Sequence, residues 1–220
     1  MTRAFLFTNS LCNPEIKSLI TTDDYIIGVD GGINTLDQIN LQPDIIIGDF
    51  DSADLSNRYL ALDIKQITHE PEKDFTDTEL AINFAQEKAF SQLIIVNNMQ
   101  ERIDHVLGVI ASLRHLHRAG VKAMILGDKQ LFMILNKANE FTLPVKTTVS
   151  LIPLSDEVLG ISTQGLYYPL NKEKLTCDRA RGLSNEVSDS SVRITLSEGE
   201  ILFVVNFREF EEVETLIKDF

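Results

Sequence analysis

The sequence predicts an α/β N-terminal domain with a mainly parallel sheet over residues 1–136, then a small all-β sandwich domain with a short C-terminal helix over 137–220. Three observations carry that expectation. In the first half, short β-branched runs alternate with stretches of helical periodicity, the rhythm of strand–helix–strand units. One run, Ile45-Ile46-Ile47, has no polar member, as a strand covered on both faces requires. After about Leu135 helical periodicity nearly vanishes, and β-like runs separated by turn residues take over.

Residues 3–8 read as the first strand, and Asn13-Pro14 opens a short helix with proline near its first turn. A second strand, 25–29, ends in Asp30-Gly31-Gly32. Paired glycines after a strand let the chain turn sharply into a helix or approach a ligand closely. Alone, the tripeptide reads more simply as a turn. Neither Gly-x-Gly-x-x-Gly nor Gly-x-x-x-x-Gly-Lys-Ser/Thr occurs, so neither standard phosphate loop applies. The central strand, 44–48, is followed by Asp49-Phe50-Asp51-Ser52. If the backbone stays extended, Asp49 and Asp51 lie on one side of it. Two such carboxylates repel unless positive charge sits between them, and hard oxygen ligands suit Mg²⁺. Capping of a following helix is the structural alternative.

Residues 64–68 form the next expected strand, leading into Lys73-Asp74-Phe75-Thr76-Asp77. A helix follows, with Leu80, Ala81, Phe84 and Ala85 on one face. Thr76 and Glu79 fit a capping box, and Asp77 in the first turn favours the helix dipole. No such local role accounts for Lys73 and Asp74. Another strand, 92–96, precedes a polar loop and a helix whose apolar stripe is Ile103, Val106, Leu107, Ile110, Ala111 and Leu113. His115 and His117 fall late in that helix, where solvation is expected and no chemistry is assigned. A strand at 122–126 ends the series. Asp30, Asp49, Asp51, Asp74, Asp77 and Asp104 all follow strands or enter helices, where ligands bind in parallel sheets. So many loop aspartates without matching lysines favour metal-bound phosphate chemistry over capping alone.

In the second half, β-like runs cover 139–143, 147–153, 165–170, 191–196 and 201–207, with 197–200 as a hairpin loop. The long connection 171–190 carries Ser184-Asn185, polar enough for a ligand contact or a turn. Phe210, Val213, Leu216, Ile217 and Phe220 mark an amphipathic C-terminal helix.

Composition bounds the function. With 44% hydrophobic and 24% charged residues, the 220-residue chain has the make-up of an ordinary globular protein. Its net charge of −13 argues against broad nucleic-acid or anionic-membrane binding, though a metal and a few local cations can still hold phosphates. Cys12 and Cys177 match neither metal-ligand spacing nor a disulfide framework. No signal-like or membrane-spanning apolar run is present, and a cytoplasmic location is expected.

These segments together resemble the thiamin pyrophosphokinase family, from about Gly28 to Phe207. The family's Asp-Gly-Gly falls at Asp30 to Gly32 with Asn34 following, and its Pro-Asp…Gly-Asp-Phe-Asp-Ser at Pro43-Asp44 and Gly48 to Ser52. Lys-Asp-x-Thr-Asp is matched at Lys73, Asp74, Thr76 and Asp77, and Arg-x-Asp-His at Arg102, Asp104 and His105. Gly165-Leu166-Tyr167-Tyr168-Pro169-Leu170 and Ser184-Asn185-Glu186 resemble the family's Gly-Leu-x-Tyr/Trp-x-Leu and Ser-Asn segments. Where the family has Gly-Gly before the arginine, this chain has Gln100-Glu101, which puts side chains into a loop that elsewhere offers bare backbone.

The resemblance implies transfer of a diphosphate group from ATP to the thiamin hydroxyl, giving thiamin diphosphate and AMP. It implies a Mg²⁺ site at Asp49, Asp51 and Asp77, with Asp30 close by, and phosphate contacts from Lys73 and Arg102. Nucleotide contacts would come from Asp30, Gly31, Gly32, Asn34, Arg102, Asp104 and His105, and thiamin contacts from Asp77, Tyr168, Ser184 and Asn185. On position alone Tyr168 equally suits a core, and His105 a helix-entry hydrogen bond. The family also implies a homodimer with sites shared between subunits. Two other classes fit parts of the pattern: a non-catalytic thiamin sensor, and a metal-dependent phosphatase using Asp49 and Asp51.

Overall fold

The computed structural model describes every residue except 1, 2, 9, 11, 50–57, 62, 69–74, 101 and 220. The chain divides into two compact units, Met1–Asp128 and Lys129–Phe220. The strand Gln130–Leu135 falls in the second unit, where it pairs along its length with Ile201–Asn206.

The first unit is built on six parallel strands: β1 (Arg3–Phe7), β2 (Tyr25–Val29), β3 (Ile45–Gly48), β4 (Lys65–Thr68), β5 (Gln92–Val96) and β6 (Lys122–Leu126). They lie in the order β6-β5-β1-β2-β3-β4, every pairing parallel. Strand order reverses between β1 and β5, the switch point at which open α/β sheets form a crevice. Three helices connect these strands: α1 (Gly32–Gln38), α2 (Asp77–Glu87) and α3 (Ile103–Arg118). Asn13 caps the 3-10 helix Pro14–Leu19 by accepting from the Glu15 N–H, with proline at its first turn as expected.

Burial follows the pattern of a covered parallel sheet. Ile45, Ile46 and Ile47 are wholly buried, as are Phe5 and Phe7, whose rings lie 6.5 Å apart. Edge strand β4 is polar and mostly exposed, which discourages pairing with another chain. On α3 only Leu113 of the expected apolar stripe lies on the buried face. Ile103, Leu107 and Ala111 are exposed, Val106 and Ile110 half-buried, and the helix buries Val109, Ser112 and Leu116 together with Leu113. These four recur at i, i+3, i+4 and i+7; a polar serine on that face hid it from the apolar count.

The second unit contains two antiparallel arrays. Strands β7 (Gln130–Leu135), β9 (Thr148–Pro153), β12 (Asn185–Glu186) and β14 (Ile201–Asn206) run in the order β12-β9-β14-β7. The other array is β8 (Asn139–Thr142), β10 (Glu157–Gln164), β11 (Glu173–Thr176) and β13 (Ser191–Thr195), ordered β11-β10-β13-β8. Phe141 of β8 stacks on Phe203 of β14 at 4.9 Å, joining the arrays through their side chains. Helix α4 (Glu211–Asp219) follows β14 and buries Val213 and Ile217.

Three expectations need correction here. Residues 197–200 are not a hairpin loop, because β13 pairs with β10 and β8 while β14 pairs with β7 and β9. The segment crosses between arrays, and its Ser197 N–H donates to Leu159 O at 2.9 Å. Residues 165–170 make one isolated bridge, Leu166 to Val187, rather than a strand. Strand β10, not anticipated, carries a register shift between Val158 and Ile161. Gly160 sits within that shift at φ +62, breaking the two-residue alternation by which a strand is recognised.

Candidate functional site

The first site forms where β2, β3 and α2 bring their ends together. Asp30 leaves β2 with φ 49, a left-handed conformation uncommon outside glycine and asparagine. Its N–H donates to Ile47 O of β3 at 2.8 Å, so the turn is tied to the neighbouring strand. Helix α1 starts at once: Ile33 N–H reaches Asp30 O at 3.4 Å and Asn34 N–H reaches Gly31 O at 3.0 Å. Gly32 must be glycine, since a Cβ there would lie 1.9 Å from Phe7 O. Asp49 follows Gly48 directly after β3. Asp77 is the first residue of α2, which is capped by its neighbours in the expected box: Glu79 N–H donates to Thr76 Oγ1 at 3.2 Å and Thr76 N–H to Glu79 Oε2 at 2.8 Å.

Asp30, Asp49 and Asp77 are each half-buried, and one carboxylate oxygen from each lies within 4.8 Å of the other two. Three partly desolvated carboxylates at that spacing repel strongly, and a divalent cation removes the repulsion. Among the described residues the donor set is all hard oxygen, which fits Mg²⁺ and not a soft metal. The structure therefore brings Asp30 into the cluster beside two of the three expected metal ligands. The third, Asp51, lies outside the described residues, as do Lys73, Asp74 and Glu101.

Arg102, at the N-cap position of α3, makes no capping bond with its side chain. It donates instead to Asp104, Nε to Oδ1 at 3.2 Å and Nη2 to Oδ2 at 2.5 Å. That bond holds the Asp104 carboxyl below its usual value, against a smaller desolvation effect. The pair stands largely in solvent, and His105 beside it is also exposed. Such a guanidinium, fixed but hydrated, suits an anionic group that arrives from solution.

A network not anticipated from the residues lies at the switch point. Thr8 Oγ1 donates to Val96 O at 2.9 Å and accepts from Asn97 Nδ2 at 2.9 Å. Asn97 Oδ1 accepts from Met99 N–H at 2.8 Å, Ser10 Oγ from Asn98 N–H at 2.8 Å, and Asn98 Oδ1 from Gln100 N–H at 3.1 Å. Thr8 and Asn97 are buried, so this network fixes the segment after β5 as far as the backbone of Gln100. The adjacent asparagines at a strand end were the available signal, since asparagine readily bonds backbone two residues on.

The second unit carries a separate cavity of about 450 Å³, lined by Leu151, Tyr167, Tyr168, Arg181, Leu183 and Asn185 among others. Tyr168 is 63% exposed, which decides against a core role. Asn185 is 5% exposed, and its amide grips Tyr168 at both ends. Its Oδ1 accepts from the Tyr168 N–H at 3.0 Å and its Nδ2 donates to Tyr168 O at 2.8 Å. Oδ1 also accepts from Glu186 N–H at 2.9 Å. Ser184 sits at φ 53 with its N–H donating to Ser150 Oγ at 3.0 Å. The expected thiamin residues Tyr168, Ser184 and Asn185 are thus brought together in one unit, while Asp77 belongs to the other.

Comparison with known proteins agrees along most of the chain. Residues 16–125 match the family model described as thiamin pyrophosphokinase, catalytic domain, and 135–201 match thiamin pyrophosphokinase, vitamin B1 binding domain. The thiamine pyrophosphokinase of Bacillus subtilis (strain 168) is 30% identical over 196 residues, covering 87% of this chain and 91% of that protein. Thiamin pyrophosphokinase 1 of Caenorhabditis elegans is 23% identical, with 82% of this chain and 78% of the other covered. Among solved structures, thiamine pyrophosphokinase from Bacillus subtilis superposes with a TM-score of 0.85 at 24% identity, over 95% of this chain and 100% of that one. The yeast thiamin pyrophosphokinase reaches 0.82 at 14% identity, over 97% and 88%. At those identities the superpositions speak for the fold.

Proposed function

The chain belongs to the thiamin pyrophosphokinase family, and on that premise we propose that it transfers a diphosphate group from ATP to the hydroxyl of thiamin. The hydroxyl oxygen forms a bond to the β-phosphorus, the bond from that phosphorus to the α-phosphate oxygen breaks, and the hydroxyl proton is lost. Thiamin diphosphate and AMP result. The observation that carries this reading is the meeting of Asp30, Asp49 and Asp77 within 4.8 Å, in the unit that matches the catalytic-domain model.

Asp49, Asp51 and Asp77, with Asp30 beside them, would hold Mg²⁺. When bound there, the ion supplies neutralisation of triphosphate charge, the main requirement of phosphoryl-type transfer. Arg102, oriented by Asp104, and Lys73 meet the remaining phosphate charge. The turn Asp30-Gly31-Gly32, with Asn34 and His105, makes up the rest of the nucleotide surface. Tyr168 offers its ring to the cationic thiazolium or the aminopyrimidine, with Asn185 lining the same cavity and Ser184 next to it in sequence. We read the two antiparallel arrays of the second unit as a sandwich, the functional form as a C2 homodimer with shared sites, and the location as cytoplasmic. Among the described residues no helix is long and apolar enough to cross a membrane.

Incubation with ATP, Mg²⁺ and thiamin, followed by separation of thiamin species by charge, tests the reading. Mg²⁺-dependent appearance of thiamin diphosphate supports it. Binding of thiamin without turnover would indicate a sensor instead, and release of free phosphate a phosphatase.

A further inference from the structure

Tyr167 lines the cavity of the second unit beside Tyr168, and its surroundings single it out. Leu166 is buried at 4% exposure, and the chain then bends at Tyr167 and Tyr168, both 63% exposed. The backbone holds both outward. Tyr167 N–H donates to Glu186 O at 2.8 Å, and Asn185 fixes the N–H and the carbonyl of Tyr168. Both rings therefore line the same cavity, 4.8 Å apart and at 83° to each other.

Two rings at nearly a right angle form a corner. A planar cation stacked on one face lies within reach of the other ring, so both quadrupoles act on it. Arg181 lines the same cavity, but it is ion-paired with Glu173, which offsets a charge that would otherwise repel a cationic ligand. We propose that Tyr167 is a specificity-determining residue, the second wall of an aromatic corner that accepts the cationic heteroaromatic substrate. The inference rests on the reading that this cavity takes thiamin. The contribution comes from the ring and not from the phenolic hydroxyl.

Steady-state kinetics and equilibrium dialysis with labelled thiamin, on Tyr167→Ala, Tyr167→Phe and Tyr168→Ala, test it. Tyr167→Ala should raise both KM and Kd for thiamin about three- to tenfold, the scale of one aromatic contact. KM for ATP and kcat should stay within about twofold, and Tyr167→Phe should behave as the parent protein, since the ring survives. Thermal unfolding of each variant shows that the fold is kept. If Tyr168→Ala weakens thiamin binding and Tyr167→Ala does not, the corner is wrong while the cavity reading stands. If neither variant changes thiamin binding, the cavity reading fails and the corner with it. Equal losses in Tyr167→Ala and Tyr167→Phe would assign the effect to the hydroxyl and overturn the proposal.

Discussion

Gly48 leaves the space that Asp30 occupies: a Cβ at position 48 would lie 3.0 Å from Asp30 Cα and 3.1 Å from its backbone nitrogen. Gly48 has φ +150 and Asp30 φ 49, so two unusual backbone conformations meet at the adjacent ends of β3 and β2. That close approach lets the Asp30 carboxylate join Asp49 and Asp77. Gly48→Ala should therefore displace Asp30, with a strain cost of about 1–3 kcal/mol. Titration with Mn²⁺ followed by electron paramagnetic resonance should show weaker binding of the ion. Gly108→Ala is the control, because nothing lies within 4 Å of a Cβ there and alanine favours a helix interior. Unchanged Mn²⁺ affinity in a folded Gly48→Ala protein would detach Gly48 from the metal site.

Asp49→Asn removes one charge from the cluster while keeping the side chain's shape. Turnover should fall by about two orders of magnitude, the usual loss when charge stabilisation is removed at a reacting phosphate. Stability should hold or rise, since repulsion among three carboxylates is relieved. Initial rates over a Mg²⁺ series, with thermal unfolding of the apo protein, check both halves.

Asn185 predicts a different signature. Asn185→Ala removes three hydrogen bonds, two of them to the Tyr168 backbone, in a residue that is 5% exposed. A loss of about 1–3 kcal/mol in stability is expected from the backbone groups left unpaired. Thiamin KM should rise because Tyr168 is no longer held, and KM for ATP should not change. Urea unfolding and kinetics on the same preparation separate the two effects.

Stability in acid should depend on Asp24. Burial raises the pKa of this carboxyl, but hydrogen bonds from Arg3 and Thr21 and the Arg3 charge together outweigh it and hold the group below its ordinary 3.8. Arg3 meets it at 2.9 and 2.8 Å, with side-chain exposures of only 16% and 5%. A depressed folded-state pKa means that the stabilisation is present above 3.8 and is lost as pH falls through the lower folded value. Asp24→Asn should cost about 2 kcal/mol near neutrality, the worth of a charged hydrogen-bonded pair. The gap between parent and variant should narrow as urea unfolding is repeated from about pH 6 down to about pH 3.

Local signals account for what was legible beforehand. The isoleucine run and the Thr76–Glu79 box each act within a few residues and are found as read, and of the aspartates at strand ends Asp30, Asp49 and Asp77 come together. The buried face of α3 was misjudged because Ile103 and Leu107 are apolar yet exposed, while Ser112 is buried. Pairing in the second unit was hidden because β13 and β14, close in sequence, join different arrays. The hold of Asn185 on the Tyr168 backbone was hidden because the tertiary fold brings these residues, 17 apart in sequence, together. Tyr167 went unassigned for the same reason, since the cavity it lines is assembled from residues distant in sequence.

The central claim is attack by the thiamin hydroxyl on the β-phosphorus of ATP, and oxygen labelling tests it most directly. Thiamin carrying ¹⁸O in its hydroxyl should be converted, with ATP and Mg²⁺, to thiamin diphosphate that retains the label in its carbon–oxygen–phosphorus bridge. AMP should accumulate in step with it, and ADP should not. Thiamin monophosphate appearing together with ADP, or label lost from the bridge, would contradict the account.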